Sequence, residues 1–156
     1  MSEPYEEVLE GEKQFRLPPG ARHEEICRRL HARVTESLAG TATARLLPPR
    51  TVVALAHGEE VRPDLALVTA ATNKLFLVAE VVNSGDHHLD TVIKKTVYED
   101  NGLPRLWMVD PRYDNVEIYH GGQYGLALKE ILAVRDKLSE PLLPSFEYII
   151  AELFKL

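Results

Sequence analysis

Asp64, Glu80 and Lys94 are the residues whose types and spacing offer chemistry. Asp64 follows Pro63 at the head of the apolar run DLALV, and Glu80 stands inside KLFLVAEVV, sixteen positions later. A lone carboxylate in a run that reads as a buried strand is costly unless something compensates it. If the two runs are neighbouring strands, both carboxylates can face one point. Like charges that converge in a half-buried place repel, and a divalent cation makes the arrangement favourable. Hard cations such as magnesium accept a few carboxylates together with water and phosphate oxygens. Each residue alone also has a plainer reading, with Pro63-Asp64 as turn chemistry and Glu80 paired to a nearby arginine or lysine.

The segment LDTVIKKTVY repeats Asp90, Lys94 and Tyr98 at four-residue spacing, which makes them one stripe of a helix. On a surface, Asp90 and Lys94 would form an ion pair worth a few tenths of a kcal/mol. In a cleft, the Lys94 ammonium would orient a water and stabilise charge developing on a phosphate.

The elements that must position these residues are legible in outline. HEEICRRLHARVTESLAG places Ile26, Leu30, Val34 and Leu38 on one face and ends at Gly40, which predicts an amphipathic helix. TVVALA and DLALV read as strands on either side of the polar turn HGEEVRP. KLFLVAEVV reads as a central strand covered on both faces. TVIKKTVYEDNG reads as a helix closed at Asn101-Gly102, and RLWMVDP as a strand. NVEIYHGGQYGLAL predicts a hairpin turning at Gly121-Gly122, and FEYIIAELFKL a strand running into a short helical turn. EKQFRL is a short strand broken by LPPG. The order implies an α/β or α+β fold with a mixed sheet, and 156 residues without a linker imply one domain, 1–156.

Composition narrows the class. With 45% hydrophobic and 27% charged residues the chain reads as globular, and a net charge of −6 argues against indiscriminate coating of nucleic acid. An acidic protein can still act on phosphates if a metal supplies the positive charge. No apolar stretch is long enough for a membrane span, and the acidic start MSEPYEEVLEGE is unlike a targeting segment, so the expectation is a cytoplasmic protein without membrane contact. The single cysteine, Cys27, excludes an internal disulfide and reads as a helix-core residue.

RPDLALV, LVAEVVNSGDHHLDTVIKK, Tyr98 and NGLPRLWMVDP together resemble the Uma-two family of bacterial proteins, members of the PD-(D/E)XK restriction-endonuclease-like nucleases. The likeness extends to YEEVLEGE, to the helix opened by His23 and to LLPSFEYIIAELF, almost the whole chain. It implies a restriction-endonuclease-like mixed sheet flanked by helices, with an extra β-rich hairpin region. It also implies magnesium or manganese on Asp64, Glu80 and the backbone carbonyl of Val81. In that superfamily a lysine usually stands two residues after the second acid, where this chain has Val82. The family pattern D-x-x-x-K-x-x-x-Y moves the lysine to the next helix, and Asp90, Lys94 and Tyr98 match it. Family members often carry Ser-Pro after E-V-x, where this chain has Asn83-Ser84.

Other residues have plainer readings. His87-His88 are adjacent in a polar loop, where neighbouring side chains point apart. Glu24 could join a metal, although an acid in a first helical turn suits the helix dipole. Arg28, Arg29 and Arg33 read as a solvated helix face rather than a phosphate contact, and Trp107 and Met108 as strand core or dimer contact. The sequence therefore supports a metal-dependent nuclease acting on DNA before RNA, with a catalytically silent binding module of the same fold as the alternative. The apolar FEYIIAELF also suggests a homodimer, if one domain leaves it uncovered.

Overall fold

The computed structural model of the chain describes residues 3–156, so the first two residues of the acidic start lie outside the described part. Strands β1 (Tyr5–Leu9) and β2 (Glu12–Arg16) form a hairpin across Glu10-Gly11, both left-handed at φ 53° and 81°. Helix α1 (Ala21–Leu38) follows, then β3 (Ala44–Leu46), β4 (Val53–Ala54), β5 (Glu60–Val61), β6 (Leu65–Thr69) and β7 (Leu75–Val81). A π-helical turn, Leu89–Lys94, leads directly into α2 (Lys95–Asp100). The chain ends in β8 (Arg105–Asp110), β9 (Asn115–Gly122), β10 (Gly125–Ala133), β11 (Lys137–Glu140), β12 (Leu143–Ile149) and α3 (Ile150–Leu153).

The six-stranded sheet has the order β10-β9-β8-β7-β6-β3. Its one parallel pair is β7 with β8, because the connection between them crosses over through the π turn and α2. The remaining neighbours are antiparallel, so the sheet is mixed, as the sequence predicts. The alternation along β7 explains its nearly continuous apolar run. Leu77, Ala79 and Val81 pack with Ile26, Leu30 and Val34 of α1 and with Phe146 of β12. Val78 and Val82 pack on the other face, with Val97 and Tyr98 of α2 and with Leu9 of the second, four-stranded sheet β2-β1-β5-β4. Glu80 shares that second face.

Several local expectations are corrected. TVVALA is not a full strand: only Val53 and Ala54 pair, with Val61 and Glu60, and a 3-10 turn at Ala56–Gly58 follows at once. The polar turn HGEEVRP therefore contains β5, and β3 lies in a stretch with no predicted strand. The acidic YEEVL is an inner strand of its sheet, paired on both sides. The β9-β10 hairpin turns at Gln123-Tyr124, because Gly122 already pairs with Gly125. Gly121 has a different task, since a Cβ there would lie 2.2 Å from the backbone oxygen of Leu103. The C-terminal segment does run from strand into a short helix. Its Phe146, Tyr148, Ile150, Leu153 and Phe154 are all buried in the chain's own core, which removes that segment as a reason to expect a homodimer. Among the described residues no helix is long and apolar enough to cross a membrane.

Candidate active site

The register pairing Leu65 with Ala79 brings Asp64 alongside Glu80, where β6 begins and β7 ends. Asp64 is buried and turns back onto the β7 backbone, its Oδ2 accepting the Val81 N–H at 2.8 Å. Its Oδ1 lies 3.4 Å from Nε of Arg50, which also pairs with Glu24. His23, in the first turn of α1, donates Nε2–H to the Val81 carbonyl at 2.7 Å, and the same nitrogen lies 3.5 Å from Asp64 Oδ2. One polarised hydrogen thus sits where a backbone carbonyl and a carboxylate converge. Those oxygens are the donor types a hard cation uses.

Glu80 is 1% exposed and meets the crossover that follows β7. Tyr98 O–H donates to its Oε2 at 2.5 Å, and Lys94 Nζ is 2.8 Å from the same oxygen. Lys94 is fully buried, with Nζ also 2.7 Å from Glu7 Oε2. Asp90, Lys94 and Tyr98 are all buried, so the four-residue stripe faces inward as one set. The surface pairing of Asp90 with Lys94 does not occur. Asp90 instead accepts from Arg16 at 3.0 Å and from the Asn83 N–H at 2.9 Å. The π turn, with its i→i+5 bonding, is the local irregularity that hands this stripe from Asp90 to Lys94, and such turns are frequent at functional places.

The hairpin β1-β2 supplies what the sequence reading missed. Glu7, fully buried, receives Lys94, the Arg62 N–H at 2.7 Å and Arg16 at 2.8 Å. Arg16, also buried, joins Glu7 to Asp86 at 2.6 Å and to Asp90. A signal for Glu7 was present, because strand alternation in Tyr5–Leu9 sets it between Tyr5 and Leu9 on the inward face. It is the same anomaly that marked Glu80. Arg16 carried no comparable mark.

Arg16 faces three carboxylates at once, so Arg16→Met should leave buried charge uncompensated and lower stability by about 3–5 kcal/mol. Arg16→Lys should recover only part of this, since an ammonium lacks the planar fork. Urea denaturation of the three proteins checks both statements, and a loss under about 1 kcal/mol for Met would contradict the first.

Burial pushes the Glu80 carboxyl up, with the Asp64 and Glu7 carboxylates adding to it, and against Lys94 the result is about 8. Burial also pushes Asp64 up, but His23, Lys94 and Arg50 outweigh it and hold that carboxyl at about 2. Glu7 is likewise held below its ordinary range, burial being outweighed chiefly by Lys94. Two adjoining carboxyls with opposed acidities are the kind of separation that acid-base sites use.

The remaining candidates sit apart from this cluster or serve other contacts. Glu24 borders the cluster through Arg50, with Oε1 3.4 Å from His23 Nδ1. His87 and His88 are exposed on their loop. Arg28 and Arg29 pair with Glu25, and Arg33 lies over the Tyr148 ring. Trp107 and Met108 are buried strand core.

The sequence model of the family Uma2, described as "Putative restriction endonuclease", matches residues 3–152. No curated protein matches the sequence. Among solved structures, the crystal structure of a "putative nuclease belonging to DUF820" from Anabaena variabilis superposes with a TM-score of 0.80. The two chains are 15% identical, and the match covers 98% of this chain and 91% of the other, a likeness of fold.

Proposed function

The chain belongs to the Uma2 family, and from that premise we propose that it is one restriction-endonuclease-like domain that hydrolyses phosphodiester bonds in nucleic acid, DNA before RNA. Asp64, Glu80 and the Val81 carbonyl would hold magnesium or manganese, which when bound supplies positive charge to the phosphate and acidifies water. Asp64, held as a carboxylate by His23 and Arg50, is the permanent anion of the set. Glu80 is the acid that would release its proton to solvent on holding the cation. Lys94 holds the attacking water and faces the charge that grows on the phosphate, while Glu7 fixes the ammonium from behind. His23 orients the Val81 carbonyl.

The observation that carries this reading is the burial of Lys94 with its ammonium 2.8 Å from Glu80. An ordinary helix lysine stays in water, and enclosing one among several carboxylates has a high desolvation cost. The test is manganese-supported cleavage of single- and double-stranded DNA and of RNA, with thermal melting at rising manganese alongside. Cleavage and a melting temperature that rises with manganese are expected. A chain that binds nucleic acid, cuts none of the substrates and melts identically with and without manganese would instead be a binding module of the same fold.

A further inference from the structure

One helical turn beyond His23, α1 carries a different donor. Cys27 is buried on the same face, with Sγ 3.6 Å from His23 Nδ1. The neighbouring carbonyl fixes which nitrogen of the neutral ring carries the proton, and the other, Nδ1, lies beside Cys27 Sγ and 3.4 Å from Glu24 Oε1. Val81 O can only accept, so the ring proton sits on Nε2, and in the neutral ring the lone pair of Nδ1 is directed to the sulfur side. A ring nitrogen of His23, Cys27 Sγ and one carboxylate oxygen of Asp64 lie within 4.8 Å of one another.

We propose that His23, Cys27 and Asp64 form a site for a thiophilic divalent cation of the zinc class. Magnesium avoids sulfur, whereas zinc takes sulfur, imidazole nitrogen and carboxylate oxygen together. With Zn–S of about 2.3 Å and Zn–N of about 2.0 Å, tetrahedral ligands S and N stand roughly 3.5 Å apart. The observed 3.6 Å meets this without movement. Asp64 is the third donor, one of its carboxylate oxygens lying within 4.8 Å of the sulfur and of a ring nitrogen. The bond from His23 Nε2–H to the Val81 carbonyl is the backing that zinc-bound histidines commonly have.

A cleft of about 430 Å³ lined by Cys27, His31, Arg50 and Asp64 gives a path to two of the donors, Cys27 and Asp64. On binding, the cation takes the place of the thiol hydrogen, and one proton leaves to solvent. Three protein ligands leave a fourth position for water. Asp64 belongs to this set and to the hard-cation set, so the two occupancies exclude each other. A zinc-class ion would then hold the protein in an inactive form. Only this last consequence rests on the nuclease reading.

The test is a cobalt(II) titration of the full chain, followed by absorption. Cys27 is the sole cysteine, so any thiolate-to-cobalt charge-transfer band in the near ultraviolet reports this sulfur alone. The band should saturate at one equivalent and vanish on adding zinc. Cys27→Ser should abolish it, and His23→Asn should weaken cobalt binding at least tenfold. Glu80→Gln, which removes a hard-cation ligand and none of the three zinc-class donors, should leave it intact, so failure of the nuclease reading would not disturb this result. Circular dichroism confirms the fold of each variant, and zinc affinity from chelator competition gives a second readout. A folded wild type without the band, or equal zinc affinity in wild type and Cys27→Ser, overturns the proposal.

Discussion

Replacing Lys94 by methionine is expected to abolish manganese-supported cleavage and to lower stability by about 3–5 kcal/mol. Methionine keeps most of the apolar stem and removes the ammonium, which leaves buried Glu7 with the Arg16 guanidinium and the Arg62 N–H. The stability loss separates this lysine from an ordinary helix lysine, whose surface ion pair is worth less than about 1 kcal/mol. Lys95 is the internal control. One position further along the helix it is partly exposed, with Nζ over the Tyr119 ring, and Lys95→Ala should keep most of the activity and stability. Lys94→Arg guards against simple unfolding, because it keeps the charge near Glu7 but moves it from the water position. It should stay folded and inactive. Equal activity in Lys94→Met and Lys95→Ala would refute the assignment.

Glu80→Gln is expected to change how stability depends on pH in metal-free protein kept in chelator. The folded-state value of about 8 stands above the ordinary 4.5. A carboxyl raised in this way contributes stability that is fully present below about pH 4.5 and is lost as the pH rises through about 8. The difference, 8 − 4.5, corresponds to about 5 kcal/mol as an upper scale. Glutamine mimics the neutral acid and can still accept from Tyr98. The advantage of the variant over wild type should therefore grow between about pH 4.5 and pH 8 and level off above that. The groups facing Glu80 are Lys94 and Tyr98 from the crossover, Glu7 from β1, Asp64 before β6 and Asp90 from the π turn, and all remain in the variant. Asp64 acts in the opposite sense, its contribution present above about pH 4 and lost as pH falls through about 2. It shapes only the acid limb. Urea midpoints of both proteins across this range decide the matter, and parallel curves would show that Glu80 is ionised throughout.

The sequence by itself determined the parts governed by local periodicity and by anomalies of burial. Apolar spacing of four defined α1, and a nearly continuous apolar run defined β7 as a strand covered on both faces. An acid in that run marked Glu80, and the stripe Asp90, Lys94, Tyr98 marked an inward helix face. These signals lie within one element, where neighbours in sequence are neighbours in space. Tertiary structure decided who faces whom. The sequence could have registered Glu7 as a second buried acid, but nothing local states that β1 folds back to set that acid against Lys94. Arg16, seventy-four residues before Asp90, shows nothing of its three acids until the hairpin docks. TVVALA scored as a strand because β-branched residues suit one, yet only two of its residues find a partner, and pairing rather than propensity makes a strand. His23 and Cys27 are one helical turn apart in any reading of α1. Their common approach to Asp64 exists only because the sheet brings the start of β6 beneath that helix.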